Sequence, residues 1–160
     1  MVKKIVILLL CVVLVGVVGC DQSDDVLTDS VVSSISKEAE SIKKSYMEKF
    51  EAELTAEDVK YDMPNSLDQN FYLYGYAYLS DYYNYGFDND IEKTHFVLRV
   101  ESITSTDKWY IYCDREVFKR MFEDAKSKER IYIFSACMIP EKYYEKGQGY
   151  MAMLVEAEWS

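Results

Sequence analysis

The chain has 160 residues, of which 49% are hydrophobic, 29% charged and 15% aromatic, with only six glycines, two prolines and one histidine. Such a composition excludes collagen-like, disordered and multi-domain readings. Four cysteines and the single histidine, His95, leave little for a disulfide-dense scaffold, a multi-histidine metal site or a histidine-based triad. The net charge is −10; Lys3 and Lys4 are the only charges before Cys20, so the remainder carries −12 together with every aromatic residue. An acidic, tyrosine-rich globular part therefore follows an apolar leader.

That leader begins with Lys3 and Lys4 and continues as the uncharged run Ile5 to Val18. At 14 residues the run is shorter than the roughly 20 needed to span a bilayer, so residues 1–19 read as a secretory signal. The run ends in Val17-Val18-Gly19-Cys20, which resembles the lipobox of bacterial lipoproteins. The resemblance implies that Cys20 becomes the first mature residue and carries a diacylglyceryl group, with an N-acyl chain as a further modification. Anchoring by more than one acyl chain is effectively stable, at roughly 0.8 kcal/mol per buried methylene. The implied location is the cell membrane, lipid-anchored and facing the periplasm or the cell exterior. Asp21, directly after the cysteine, resembles the inner-membrane retention signal of enteric bacteria. The competing reading is a single transmembrane anchor, against which stands the polar stretch Asp21-Gln22-Ser23-Asp24-Asp25.

With Cys11 removed in the leader and Cys20 acylated, the mature part keeps Cys113 and Cys137. An even pair in an oxidising compartment can bridge, and two small buried hydrophobes on neighbouring strands are the alternative.

Residues 20–33 mix Asp, Ser, Thr, Gln and Val without sustained periodicity and read as a tether. From Ile35 the apolar positions Ile35, Ala39, Ile42, Tyr46, Phe50 and Leu54 define an amphipathic helix of about twenty residues, with Glu40 and Lys44 paired on another face. Its narrow stripe suits a helix laid on a domain surface or a short coiled-coil stalk. Thr55 and Asp58 have the spacing of a helix-start box, which Pro64 soon limits, so residues 34–66 form the helix and its connector.

Over residues 67–160 the period changes to two. Phe71, Leu73, Gly75, Ala77 and Leu79 alternate with Tyr72, Tyr74, Tyr76 and Tyr78, giving one apolar face and one tyrosine ladder. A second strand holds Phe96, Leu98 and Val100 against His95, Val97, Arg99 and Glu101; a third alternates Trp109, Ile111 and Cys113 with Tyr110 and Tyr112. Asp114 is placed to cap a helix whose apolar side is Val117, Phe118, Met121, Phe122 and Ala125. Ile131 to Met138 and Tyr150 to Glu158 complete five strands, the loop between them ending at Gly147 and Gly149.

Strand, strand, strand, helix, strand, strand is the order of the OB fold, a five-stranded Greek-key barrel, with Gly75 where the first strand can bend to serve both sides. The glycine-centred first strand, the Ile111-Tyr112-Cys113 step, the helix Val117 to Ala125 and the strand Arg130 to Cys137 resemble secreted bacterial OB-fold proteins of the tRNA_anti-like type. A mainly β fold with helices is expected, an OB-like barrel preceded by an amphipathic helix. The alternative is an α+β, cystatin-like helix on an antiparallel meander.

The OB resemblance suggests nucleic acid, yet a charge of −12 repels phosphate and no run of Lys or Arg interleaves with the tyrosines, so no nucleic acid is expected. The candidate contact residues are Tyr82, Tyr83, Tyr85 and Phe87 in the loop after the first strand, completed by Tyr143 and Tyr144 in the loop Pro140 to Gly149. Tyrosine supplies large contact area at low entropic cost and keeps a hydroxyl. The strand tyrosines are equally explained as a face covered by Ile42, Tyr46 and Phe50. Asp88 and Asp90, with Glu92, could hold a hard cation through oxygens, though the spacing lacks an EF-hand glycine and a solvated turn explains it as well. No Gly-x-Ser-x-Gly elbow occurs, so no enzyme activity and no cofactor beyond the lipid are expected. The resulting expectation is a membrane-tethered, non-catalytic binding module for an envelope protein or polymer. Its rivals are a structural or exclusion-type surface lipoprotein and a nucleic-acid-type OB module.

Overall fold

A computed structural model describes residues 25–83, 91–103, 107–144 and 149–160, with the backbone alone at 25–32 and 35. Cys20 and the leader lie outside the described residues, as do Tyr85, Phe87, Asp88 and Asp90. Two units form, one ending at Glu38 and the other running from Ala39 to Ser160.

The first helix, α1, spans Asp25–Lys49, so it begins within the stretch read as a tether and stops short of Leu54. No glycine or proline occurs between Gly19 and Pro64, and Asp24 and Asp25 favour a helix start through the macrodipole. The end is a Schellman turn. Glu51 takes a left-handed φ of 50°, and Ala52 donates its N–H to the Met47 carbonyl at 2.9 Å. Of the expected stripe, Ala39 is exposed and Ile42 half-buried, whereas Phe50 is fully buried. Packing thus concentrates in the last turn.

Thr55 caps α2 (Ala56–Tyr61) with the expected reciprocal box, its Oγ1 accepting from the Asp58 N–H and the Asp58 carboxylate accepting from the Thr55 N–H at 2.8 Å. Just before it, Leu54–Thr55 form a two-residue strand, β1, parallel to the start of β2 (Phe71–Ser80). Too short for any periodicity, β1 left no trace in the residue pattern.

The remaining elements are α3 (Ile91–Thr94), β3 (His95–Ser102), β4 (Lys108–Asp114), α4 (Lys119–Ser127), β5 (Ile131–Met138) and β6 (Met151–Trp159). The sheet runs β1-β2-β3-β4-β6-β5, and β2 also pairs with β5. That last ladder closes β2 to β6 into a five-stranded OB-like barrel with β4 and β6 parallel and α4 between β4 and β5. An open cystatin-like meander has no such closure.

Gly75 lies at the corner: it pairs with Ser102 on β3 and with Ile133 on β5. Its φ is +156°, and a Cβ there would lie 2.2 Å from the Glu101 carbonyl oxygen, so only glycine fits. The interior holds Phe71, Leu73, Trp109, Ile111, Met121 and Ile133, all fully buried. Large side chains of this kind each stabilise the fold by roughly 1.5–3 kcal/mol. Ser135, a buried hydroxyl, donates to the Leu73 carbonyl at 2.7 Å.

Asp114 accepts from the Glu116 and Val117 N–H groups at 2.8 and 3.0 Å, but that turn delays α4 to Lys119. Val117 consequently faces solvent at 71% exposure instead of joining the apolar side, where Phe118, Met121 and Ala125 are buried and Phe122 packs against the core. Cys113 and Cys137 are free, buried thiols and not a disulfide. Nor do their strands neighbour each other, since β6 runs between β4 and β5.

Candidate functional site

In an OB barrel, the outward face of the second and third strands and the loops bordering it form the usual contact surface. Here those strands are β3 and β4, and period-two alternation turns Val97, Arg99, Tyr110 and Tyr112 outward. Register sets Val97 against Tyr112 and Arg99 against Tyr110, and β6 adds Met151 beside Tyr110 and Met153 beside Tyr112.

Both tyrosine loops reach this face. Ile91, Val97, Tyr112 and Met151 form a buried cluster against which Tyr83, Tyr110, Tyr143 and Met153 pack. The Tyr83 ring stands edge-on to Tyr112 at 6.1 Å; its hydroxyl donates to the His95 carbonyl at 3.3 Å and accepts from Arg115 Nη2 at 3.4 Å. Tyr83 is thus a roof beam and not the free contact residue its sequence neighbours suggest. Tyr143 arrives from the 3-10 turn Glu141–Tyr143, with the Lys142 ammonium 4.5 Å from its ring centre. Tyr144 packs against the main barrel core. Three of the expected contact residues therefore meet, Tyr82, Tyr83 and Tyr143, while Tyr144 belongs elsewhere.

Tyr82 is the exposed member. Nearly half of it is open to solvent, yet its ring rests 4.7 Å from that of Tyr110 and its N–H is held by the Ser80 hydroxyl at 3.1 Å. A rigidly backed, solvent-facing aromatic of this kind suits recognition, because little freedom is left to lose on contact.

Beside it lies an arrangement that sequence reasoning missed. Arg99 stacks on Tyr78, guanidinium carbon to ring centre 4.9 Å, and pairs with Glu101 at 3.3 Å; Lys108 reaches the same carboxylate at 3.5 Å. Arg130 stacks on Tyr76 at 4.3 Å and is hydrogen-bonded to Tyr78. Alternation alone turned Arg99 outward, but its meeting with Tyr78, 21 positions earlier, and that of Arg130 with Tyr76, 54 positions earlier, appear only with the strand register.

At the first half of the ladder, Tyr72 is buried and Tyr74 partly so, beneath Tyr46, Met47, Phe50 and Ala52. The covered-ladder reading holds there through Tyr46 and Phe50, without Ile42 in the cluster, and beyond it Tyr76 and Tyr78 are partly buried beside Arg130 and Arg99. His95 is half-buried, contacts the Thr94 hydroxyl at 2.8 Å, and is held below its ordinary pKa chiefly by burial, so it is neutral at pH 7. Among the described residues, no three His, Cys, Asp or Glu groups converge to hold a metal, and no helix is long and apolar enough to cross a membrane. No protein-family model, no curated protein and no solved structure matches the chain.

Proposed function

We propose that this protein is a membrane-tethered lipoprotein, acylated at Cys20, whose OB-like barrel is a non-catalytic binding module for an envelope protein or polymer. The observation that carries the reading is Tyr82, half exposed yet backed by Tyr110 on a face that two tyrosine-bearing loops help to build. The Val17-Val18-Gly19-Cys20 sequence supports the anchor and the location at a membrane, on its periplasmic or exterior side.

The test uses the full chain. Tyr82→Ala is expected to reduce retention on envelope fragments of the producing cell at least tenfold while shifting the thermal midpoint by no more than a few degrees. Cys20→Ser is expected to release the protein from membranes and abolish fatty-acid incorporation. Unchanged retention with Tyr82→Ala contradicts the module; persistent label on Cys20→Ser contradicts the anchor. A second reading, an exclusion-type surface lipoprotein without a dedicated ligand site, is favoured by one observation, the internal packing of Tyr83 and Tyr143. Under that reading Tyr82→Ala leaves function intact and loss of the anchor abolishes it.

A further inference from the structure

The chain as a whole is strongly acidic, but the outward face of β2, β3 and β4 holds a local cluster of cations. Arg99, Arg130 and Lys108 gather there against Glu101 and Glu129. Tyr78, Arg99 and Tyr110 oppose one another directly across three strands, a row about 10 Å long at the usual strand spacing. Tyr82 extends it at one end; Tyr76 with Arg130 widens it at the other. All but Arg130 and Tyr82, which are exposed, are partly buried. Stacking on tyrosine faces holds the two guanidiniums in fixed orientation, one on each side of Tyr78, and an oriented guanidinium is suited to planar oxyanions.

Deepening the binding-module reading, on which it rests, we propose that this row is a binding site for an acidic polysaccharide, whose sugar rings stack on the tyrosines while widely spaced carboxylates or phosphates meet Arg99 and Arg130. Two features favour a glycan over single-stranded nucleic acid. The face mixes donors with acceptors, since the tyrosine hydroxyls and Glu101 accept hydrogen bonds from hydroxyls that line a glycan along its whole length, whereas a DNA sugar-phosphate backbone offers acceptors alone and keeps its donors on the bases. A charge of −12 over the mature chain also repels a ligand bearing one phosphate per residue but tolerates one with sparse charge.

The experiment is affinity electrophoresis of the full chain in detergent micelles through gels containing hyaluronan, which bears a carboxylate only on alternate sugars, phosphomannan, dextran or a thymidine oligonucleotide. Retardation by hyaluronan or phosphomannan, whichever oxyanion is preferred, is expected, falling at least tenfold in Arg99→Gln/Arg130→Gln. Arg99→Lys/Arg130→Lys keeps the charge without the planar fork and is expected to recover only part of the loss. An unchanged thermal midpoint in both variants separates binding from folding. Equal retardation by dextran, stronger retardation by the oligonucleotide, or indifference to the double Gln substitution overturns the assignment. Failure to bind either acidic glycan, alongside Tyr82-dependent retention on envelope fragments, overturns it while leaving the binding module standing.

Discussion

The ring of Tyr46 lies 4.2 Å from that of Phe134, with the two planes within 5° of parallel. One residue belongs to the final turns of α1 and the other to β5, so this stack is where the helix end is fastened to the barrel. The Tyr46 hydroxyl reinforces it by donating to Glu158 at 3.0 Å, and Lys49 ion-pairs with the same carboxylate. Replacing Tyr46 by Ala removes the stack and uncovers part of Tyr72 and Tyr74. We expect a loss of about 2 kcal/mol in urea unfolding, within the range for truncating a packed aromatic that is not wholly buried. A change below a few tenths would mean the contact contributes nothing.

Of the two described glycines, Gly75 is the one with no room for a side chain. An alanine Cβ would meet the Glu101 carbonyl at 2.2 Å in a backbone conformation that L residues rarely adopt. Gly75→Ala is expected to cost roughly 3 kcal/mol or more, because the β2–β3 ladder must open to admit it. Circular dichroism on heating checks this, and a midpoint within a few degrees of the parent would refute the corner geometry.

Stability is expected to fall at both ends of the pH scale. The Asp58 carboxyl is held low by the Thr55 hydroxyl and backbone, Asp114 by the Val117 and Glu116 N–H groups, and Glu158 by its hydrogen bond from Lys49. Groups with depressed folded values stabilise fully above their unfolded range and lose that contribution as pH falls, so the acid limb begins below about pH 4.5. Burial, aided by Glu158, pushes Tyr46 up to about 12 from 10, and burial also raises Tyr72 and Tyr132. Their stabilisation is complete below pH 10 and lost as pH rises beyond it. Tyr46→Phe should weaken the alkaline limb and reduce the acid one only slightly, since its hydroxyl also helps lower Glu158; stability rising above pH 10 would invert this assignment.

Cys113 and Cys137 should behave as core atoms. Burial raises the Cys113 thiol well above its ordinary value and pushes Cys137 up to about 12, so neither offers a thiolate at pH 8. A maleimide followed by peptide mass mapping is expected to label both only in urea, with reductant leaving the thermal midpoint unchanged. Recovery of a peptide joined through the two sulfurs would contradict the free-thiol state.

The barrel was legible because its strands are half-buried: alternation at Phe71–Leu79, Phe96–Val100 and Trp109–Cys113 records which face meets the core, and the helix between the third and fourth strands fixes the order. Capping at Thr55 was equally local and equally readable, whereas Asp114 holds the turn before α4 and does not cap the helix itself. What alternation does not record is register. The meeting of Arg99 with Tyr78, and the fate of Tyr83 as packing while Tyr82 stays open, depend on contacts between residues distant in sequence. Val117 misled because it is apolar at helical spacing, yet the Asp114 turn places it before the helix begins. The α1 start was missed because a run of Val, Ser and Asp lacks a clean stripe although nothing in it breaks a helix.

The binding-module account is tested most directly by a photo-crosslinking side chain placed at position 82 of the chain in living cells, beside a control at position 61, which is more exposed on α2. The account expects a discrete adduct with an envelope component from position 82 and none from position 61. No adduct at 82, or the same adducts from both positions, would contradict it.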